Sequence, residues 1–369
     1  MTETRWCKRC VVSNHRPIAS REYARTPGSE PGMMAFDSEG VCGACRVAER
    51  KDKANWADRE DALKELLARY RRNDGRPDVL IPSSGGKDSV YASHLLKYKY
   101  GMSPLTVTWR PNGYTDVGWR NFNAWLESGF DNYLVTPNPK VHRLLTRLAF
   151  VNMLHPFQAF ILGQRSLAPK IAAAHGIELV FFGEDDEEFE GEKGWQEKPE
   201  TIYQSADVRA LHIGGVPYEQ LIKDYGLTKH DLWIYLPPGP VNVEQHALGK
   251  FIRWQPQAAY YFAVEHGFEA NAERTEGTYS RYNSVDDRCD PIHYFAMHAK
   301  WGIGRATHDA SQEIRNGHLT REEGVALVHQ YDGEIRPATV RWACDYMGIT
   351  EDEFWTTVGR FKREYPQVS

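Results

Sequence analysis

The chain has no surplus of positive charge. Lys plus Arg total 45 against Asp plus Glu at 50, a formal net charge of −5 over 369 residues, whereas polyanion-binding proteins carry a basic excess. This balance counts against tRNA or DNA as the main substrate and leaves room only for a local basic patch. No apolar run approaches the length needed to span a bilayer, and Met1-Thr2-Glu3-Thr4-Arg5-Trp6 lacks the apolar segment of a signal peptide, so the expected compartment is the cytoplasm. From Arg76 through Tyr282 there is no cysteine at all, and no catalytic triad is evident. The length suffices for two or three domains with a substantial core.

What is present is led by Ser83-Ser84-Gly85-Gly86-Lys87-Asp88-Ser89, set directly after the apolar run Asp78-Val79-Leu80-Ile81-Pro82. It reads as a strand running into a glycine-rich turn that opens a helix. Adjacent glycines let the backbone approach a phosphate, and free N–H groups at the helix start, with small hydroxyls, donate to its oxygens. The spacing is not that of a Walker A loop, which has four residues between its glycines and Ser or Thr after its Lys. It resembles instead the SGGxDS signature of the PP-loop ATP pyrophosphatases, which cleave ATP to AMP and pyrophosphate. That resemblance implies an ATP site at Ser84, Gly85, Gly86, Lys87, Asp88 and Ser89, with Lys87 neutralising phosphate charge and Asp88 helping to hold Mg²⁺. The bland alternative is an ordinary Gly-Gly turn between a strand and a helix.

Four of the six cysteines form Cys7-x-x-Cys10 and Cys42-x-x-Cys45, separated by 31 residues. Two such knuckles supply four thiolates for one tetrahedral Zn²⁺, an iron–sulfur or redox pair being the rival. Gly40 and Gly43 suit a tight turn aiming N–H groups at sulfur. The intervening segment has no periodic apolar pattern, so the metal would supply much of its folding free energy. Cys289 and Cys344 stand alone and read as ordinary small side chains.

Trp56, Leu63, Leu66, Leu67 and Tyr70 recur at helical spacing, an amphipathic helix whose stripe is packing. Strand-length apolar runs at 105–109, 133–136 and 178–182 then alternate with helical patterns over 89–100, 118–128 and 158–175. The expected fold is therefore α/β: a parallel-sheet PP-loop domain with helices on both faces, an N-terminal zinc ribbon and a helical C-terminal region. The expected boundaries are 1–52 for the ribbon, 53–76 for the connecting helix, 77–285 for the ATP-binding domain and 286–369 for the helical region. Ligands of such sheets bind at the carboxyl ends of the strands. Three loops become candidates: the Ser84–Ser89 turn, Trp109-Arg110-Pro111-Asn112-Gly113, and Gly183-Glu184-Asp185-Asp186. Within the acidic run, Glu184 is the member expected to face the site, toward metal or substrate, while its later members suit a solvated loop. The aperiodic stretch 191–204 suggests a mobile loop over the pocket.

Farther on, Glu276-Gly277-Thr278-Tyr279-Ser280-Arg281-Tyr282-Asn283-Ser284 is dense in hydroxyls that suit a sugar or phosphate, though a solvated loop would look similar. Asp286-Asp287 follow. Arg305 lies in a Gly-x-Gly-Arg turn, where bare backbone can approach a ligand. Thr320 with Glu323 is a capping box for a helix beginning near Arg321, so Glu323 reads as structural. The expected catalytic set is Lys87, Asp88, Glu184 and Arg305; the expected substrate set is Tyr279, Ser280, Arg281 and Arg321.

Taken together, the Glu-Gly-Val-Cys-Gly-Ala-Cys knuckle, the Ser-Gly-Gly-Lys-Asp-Ser turn, the Gly-Thr-Tyr-Ser-Arg-Tyr segment, and the run from Gly302 through Thr-Arg-Glu-Glu-Gly-Val-Ala-Leu-Val to Tyr331-Asp332-Gly333-Glu334 resemble the N-acetyl sugar amidotransferases over nearly the whole chain. The resemblance implies conversion of an acetamido group on a nucleotide-activated sugar to an acetamidino group, during synthesis of bacterial surface polysaccharide such as lipopolysaccharide O-antigen. ATP would adenylate the amide oxygen and ammonia would displace AMP. Neither lone cysteine sits in the Gly-rich elbow of a glutaminase, so ammonia would come from partners similar to the glutaminase and cyclase subunits of histidine biosynthesis, docked on the ribbon or the C-terminal helices. Two rivals are a tRNA-thiolating PP-loop enzyme, disfavoured by the missing basic excess and core cysteine, and a non-catalytic nucleotide-binding scaffold.

Overall fold

Leu80 and Val180 are buried on one side of the sheet, and Val79, Ile81, Leu179 and Phe181 on the other, which is why these strands read as continuous apolar runs. The computed structural model describes residues 3–17, 26–29, 33–184, 191 and 211–369. Five parallel strands, β1 (Val79–Pro82), β2 (Pro104–Trp109), β3 (Asn132–Val135), β4 (Leu179–Phe182) and β7 (Glu244–Ala247), run in the order β3-β2-β1-β4-β7. β5 (His212–Ile213) and β6 (Val216–Pro217) form a small separate hairpin. The chain winds outward from β1 to β3, then returns to place β4 on the other side of β1. The crevice at the carboxyl ends of β1 and β4 is thus the switch point of the winding, where ligands of such sheets bind.

One face is covered by helices Pro139–Met153 and Gln158–Ala174, the other by Trp56–Tyr70 and Lys87–His94. Leu63, Leu66 and Leu67 of the amphipathic helix are buried, as its spacing predicts, and Asn55 caps it by accepting from the Ala57 N–H. Helix Lys87–His94 passes into a π-helical turn, Leu95–Lys99, where one uninterrupted helix was expected. Several elements fell outside the sequence reading, among them the 212–217 hairpin and the helix Pro256–Glu265; two of them show why. Helix Pro139–Met153 carries its own start signal, Asn138 capping ahead of Pro139. β7 has the polar sequence Glu-Gln-His-Ala and lies at the sheet edge, where an apolar run is not required.

Five helices, Asp290–Trp301, Arg305–Arg315, Arg321–Tyr331, Pro337–Met347 and Glu351–Phe361, make the C-terminal region. Capping boxes at Thr320/Glu323 and Thr350/Glu353 start two of them. This region shares a core with the sheet domain: Phe150, Leu154 and Phe157 join Ile292, Val340, Met347 and Phe354. The cysteine knuckles are not a free-standing module either, since Ile303 is buried among them and Val11 packs with Ala310 and Val328. The segment 192–204, read as a possible mobile loop, lies outside the described residues, as do Asp185 and Asp186.

Candidate active site

The turn after β1 is held by its own hydroxyls. Ser89 Oγ donates to Gly86 O at 2.9 Å and accepts from Ser84 N at 3.2 Å, while Ser84 Oγ accepts from Gly86 N at 3.2 Å. Gly85 has a φ of +79° and sits against helix Asp116–Glu127, so only glycine fits there without strain. Gly86 is the N-cap of helix Lys87–His94, and Gly86, Asp88 and Ser89 at this helix start line the cleft. Lys87 Nζ pairs with Asp88 Oδ2. Burial opposes the Lys87 charge, but the carboxylates of Asp88 and Glu184 outweigh it and hold the ammonium above its usual range. Asp88 Oδ1 is buried with no hydrogen-bond partner.

This turn opens on a cleft of about 1600 Å³. Its lining brings together Ser83, Ser84, Gly86, Asp88 and Ser89 from the β1 loop, Trp109 at the end of β2 and Pro111 after it, and Gly183 and Glu184 after β4. Asp286, Asp287 and Asp290 enter from the start of helix Asp290–Trp301. Arg50, Lys53, Asn55 and Arg59, from the helix that begins at the second cysteine knuckle and the start of the helix after it, also line the cleft. Neither group had been anticipated. A cluster of three aspartates within five residues just ahead of a Pro at a helix start was the available signal for the first.

The aspartates differ in role. Asp287 accepts from Asn112 N at 2.7 Å, Gly113 N at 3.2 Å and Cys289 N at 2.9 Å, clamping the β2 loop to the C-terminal region. Burial raises the carboxyls of Asp286 and Asp290 above their ordinary range; Ser84 and Lys87 beside Asp286, and Arg305 near both, oppose it. These two line the cleft together with Asp88 and Glu184 beside the glycine-rich turn; among the described residues only the four N-terminal cysteines bring their ligand atoms close enough to share one ion.

Arg305 opens helix Arg305–Arg315. It pairs with Asp309 at 2.9 Å, donates to Tyr294 Oη at 2.7 Å and stacks on that ring at 4.8 Å. Burial works against its charge, but Asp309, Tyr294 and Asp290 more than compensate. The glycine turn before it approaches protein rather than ligand: Gly304 N donates to Asp332 Oδ2 at 3.0 Å. Tyr279, Ser280 and Arg281 line a different, smaller cavity, and Arg321 Nε reaches Cys7 O at 3.3 Å, on the knuckle side of the molecule. Arg305 lines neither cavity, so the expected site residues do not share one space.

The four N-terminal cysteines converge. Cys7 and Cys45 Sγ lie 3.9 Å apart, Cys10 and Cys42 Sγ 3.7 Å, and all four sulfurs fall within 4.8 Å of one another. A tetrahedral ion with metal–sulfur bonds of about 2.3 Å places its thiolates roughly 3.8 Å apart, so the set fits one Zn²⁺. A four-iron cube would hold them much farther apart. Backbone N–H groups of Arg9, Cys10 and Cys42 point at Cys7 Sγ within 3.4–3.5 Å. The glycines do not take that part: Gly40 N donates to Asp37 O and Gly43 N to Ala35 O.

The strand order, the Ser83–Ser89 turn at the switch point and the cleft it opens on define an α/β core of the PP-loop type, joined to a four-cysteine knuckle and a helical C-terminal region. Residues 276–367 match the family described as LPS biosynthesis protein WbpG-like, C-terminal domain. The similarity to that lipopolysaccharide-biosynthesis domain thus covers the helical C-terminal region and the aspartates that enter the cleft.

An uncharacterized protein of Methanocaldococcus jannaschii is 29% identical over 75 residues, 20% of this chain and 27% of that protein's length. Among solved structures, NMN synthetase from Francisella tularensis (TM-score 0.36, 10% identity, 80% of this chain and 94% of that one) is similar in part. So are the NH3-dependent NAD synthetase from Campylobacter jejuni (0.34, 10%, 85% and 100%) and the tRNA thiolase NcsA from Methanococcus maripaludis with its [4Fe-4S] cluster (0.28, 11%, 86% and 88%). Scores this low leave the fold to rest on the strand order and the loop themselves.

Proposed function

We propose that the protein is an ATP-dependent, AMP-forming amidotransferase that converts an acetamido group of a nucleotide-activated sugar to an acetamidino group. The observation that carries this reading is the shared cleft: a phosphate loop and the aspartates of the WbpG-like region face one space. At about 1600 Å³ it exceeds the roughly 300–1,000 Å³ of a single-ligand pocket, leaving room for ATP and a second nucleotide-sized substrate.

An amide oxygen is a poor leaving group until activated. Ser84, Gly85, Gly86 and Ser89 would seat the β- and γ-phosphates while Lys87 takes up their charge. Asp88 and Glu184, with Asp286 and Asp290, are the residues that would hold Mg²⁺, which supplies charge neutralisation and geometry at the phosphates. The amide oxygen attacks the α-phosphorus, an O–P bond forms, the α–β anhydride bond breaks and pyrophosphate leaves, with the amide proton released. The nitrogen lone pair of ammonia then attacks the imidate carbon, the C–O bond breaks, and AMP departs to leave the protonated amidine. Arg305, fixed by Asp309 and Tyr294, does not line the cleft and acts on Lys87, Asp286 and Asp290 through its charge. The Arg50, Lys53 and Arg59 wall suits the diphosphate of the sugar nucleotide.

Ammonia delivery by glutaminase and cyclase-like partners belongs to the same reading, as does a cytoplasmic setting; no described helix is long and apolar enough to cross a membrane. The test is release of AMP and pyrophosphate with ammonium and a panel of UDP- and CMP-linked acetamido sugars, following product mass. Turnover that requires both sugar and ammonium, with a product lighter by the difference between O and NH, supports the reading. Turnover only with tRNA and a sulfur donor overturns it.

A further inference from the structure

The edge strand β7 carries polar residues that sheet packing does not require. Glu244 and His246 lie two residues apart and so share one face of the strand. Glu244 Oε1 accepts from His246 Nε2 at 2.7 Å, and Glu244 Oε2 accepts from the Tyr70 hydroxyl at the end of helix Trp56–Tyr70. The imidazole stacks at 5.6 Å on Phe181, its neighbour in β4, and packs at 5.5 Å against Phe251. Carboxylate and rings together fix its tautomer and its plane. A carboxylate only accepts, so Nε2 bears the hydrogen and Nδ1 keeps its lone pair.

His246 is the one histidine among the described residues that lines the phosphate-loop cleft. The described residues bond its ring at Nε2 alone, whereas both nitrogens of His142, away from the cleft, are taken up by protein. In the sheet only β4 stands between β7 and β1. Neighbouring strands are about 4.8 Å apart, so the ring lies roughly 10 Å across the cleft from the line of β1. A triphosphate seated on the turn, with an amide at its α-phosphorus, bridges such a span.

We infer that His246 is the general base of the adenylation step, and that Glu244 and Tyr70 are the residues that position it. The inference rests on the amidine-forming reading above, in which the amide must lose a proton as its oxygen is adenylated. While the O–P bond forms and the bond from the α-phosphorus to pyrophosphate breaks, the nitrogen lone pair closes the C=N bond. The N–H proton then passes to His246 Nδ1, its bonding pair staying on nitrogen. The imidazolium is held by Glu244 at Nε2 and gives the proton to water. Histidine is the side chain whose ordinary pKa lies nearest neutrality. Burial lowers the ring's pKa below 6.5, Glu244 on the same strand opposes this, and Lys250 after the strand and Arg69 beside Tyr70 add to it, so the base form prevails at pH 7.

Sugar-dependent exchange of pyrophosphate into ATP isolates this step, since it needs no ammonia. His246→Gln should slow the exchange about a hundredfold or more, with the calorimetric Kd for ATP and for the sugar nucleotide changed less than about twofold. Added imidazole should raise the exchange rate of His246→Ala about tenfold and leave the wild type unchanged. Glu244→Gln should slow the exchange and move the acid limb of its pH profile to lower pH, because the carboxylate holds the ring's pKa up; an unmoved limb overturns the positioning role. Exchange in His246→Gln within about twofold of the wild type, or no response to imidazole in a His246→Ala protein that binds ATP normally, overturns the base and leaves the amidotransferase reading standing. Absence of any sugar-dependent exchange in the wild type overturns that reading, and the inference with it.

Discussion

Gly85 approaches Phe122 so closely that a Cβ on the glycine would lie 2.6 Å from the Phe122 Cα. The phosphate turn is thus keyed into the backbone of helix Asp116–Glu127, and its shape is set by that contact as well as by its serines. Gly85→Ala must distort the turn: the left-handed φ alone costs about 1–2 kcal/mol, and the clash adds to it. A lowered urea midpoint together with loss of pyrophosphate release is the expected result. Wild-type behaviour in both would show that the turn has more freedom than this packing allows.

Lys87 stands between Asp88 and Glu184 with its charge raised in persistence by both. Lys87→Ala should reduce pyrophosphate release by roughly a hundredfold or more, the scale for losing one positioned charge at a reacting centre. Its metal content, measured by elemental analysis, should equal that of the wild type, because the cysteine site lies elsewhere. Retained activity would remove the phosphate role of this loop.

Asp309 and Arg305 form a buried pair whose removal one member at a time is costly. Burial pushes the Asp309 carboxyl up, but the Arg305 guanidinium outweighs it and holds the group at about 2. Arg305→Ala leaves a buried carboxylate uncompensated and should destabilise the protein by about 3–5 kcal/mol. The double variant Arg305→Met with Asp309→Leu should recover a large part of that loss in urea unfolding. Equal stability of the single variant and the wild type would mean that water reaches Asp309.

His142 is held neutral by its neighbours. Its Nδ1 lies 2.9 Å from Tyr235 Oη and its Nε2 2.7 Å from Asn112 Oδ1, so the first accepts and the second donates. Burial lowers its pKa from 6.5 to about 4. The folded state therefore binds fewer protons than the unfolded chain between these values. The resulting stability is fully present above pH 6.5 and is lost as pH falls through 4, a change of about 3 kcal/mol. His94, similarly depressed to about 4 by burial, adds in the same direction. His142→Gln should show a smaller loss of urea stability between pH 7 and pH 4.5 than the wild type; an identical loss would place the acid sensitivity elsewhere.

Much of the core was legible because its signals are local. The run Val79–Pro82 and the glycine turn after it announce a strand and a phosphate loop within eleven residues, and the two Cys-x-x-Cys pairs announce a knuckle. β7 carries no such signal, since an edge strand of Glu-Gln-His-Ala has neither alternation nor an apolar run. The aspartate wall was hidden by distance: Asp286 lies some 200 residues from Ser84 along the chain, and only the winding of the sheet brings the two together. Arg321 shows the converse limit. Its neighbours suggested a ligand, but helix geometry aims its Nε at the Cys7 carbonyl.

Cys42→Ser should lower bound metal and solubility, as removal of one of four thiolates weakens a site that ties 38 residues of chain from Cys7 to Cys45. Normal metal content in this variant would sink the four-thiolate site.

Cys42 is also the residue that starts helix Gly43–Lys53, and the far end of that helix supplies Arg50 and Lys53 to the cleft wall. Eleven residues of helix span about 16 Å, so the knuckle is the abutment on which one side of the substrate space is cantilevered. The expected outcome is that a preparation partly loaded with metal shows a proportionally lower kcat at an unaltered KM. Turnover should then scale with equivalents of bound metal rather than with moles of chain.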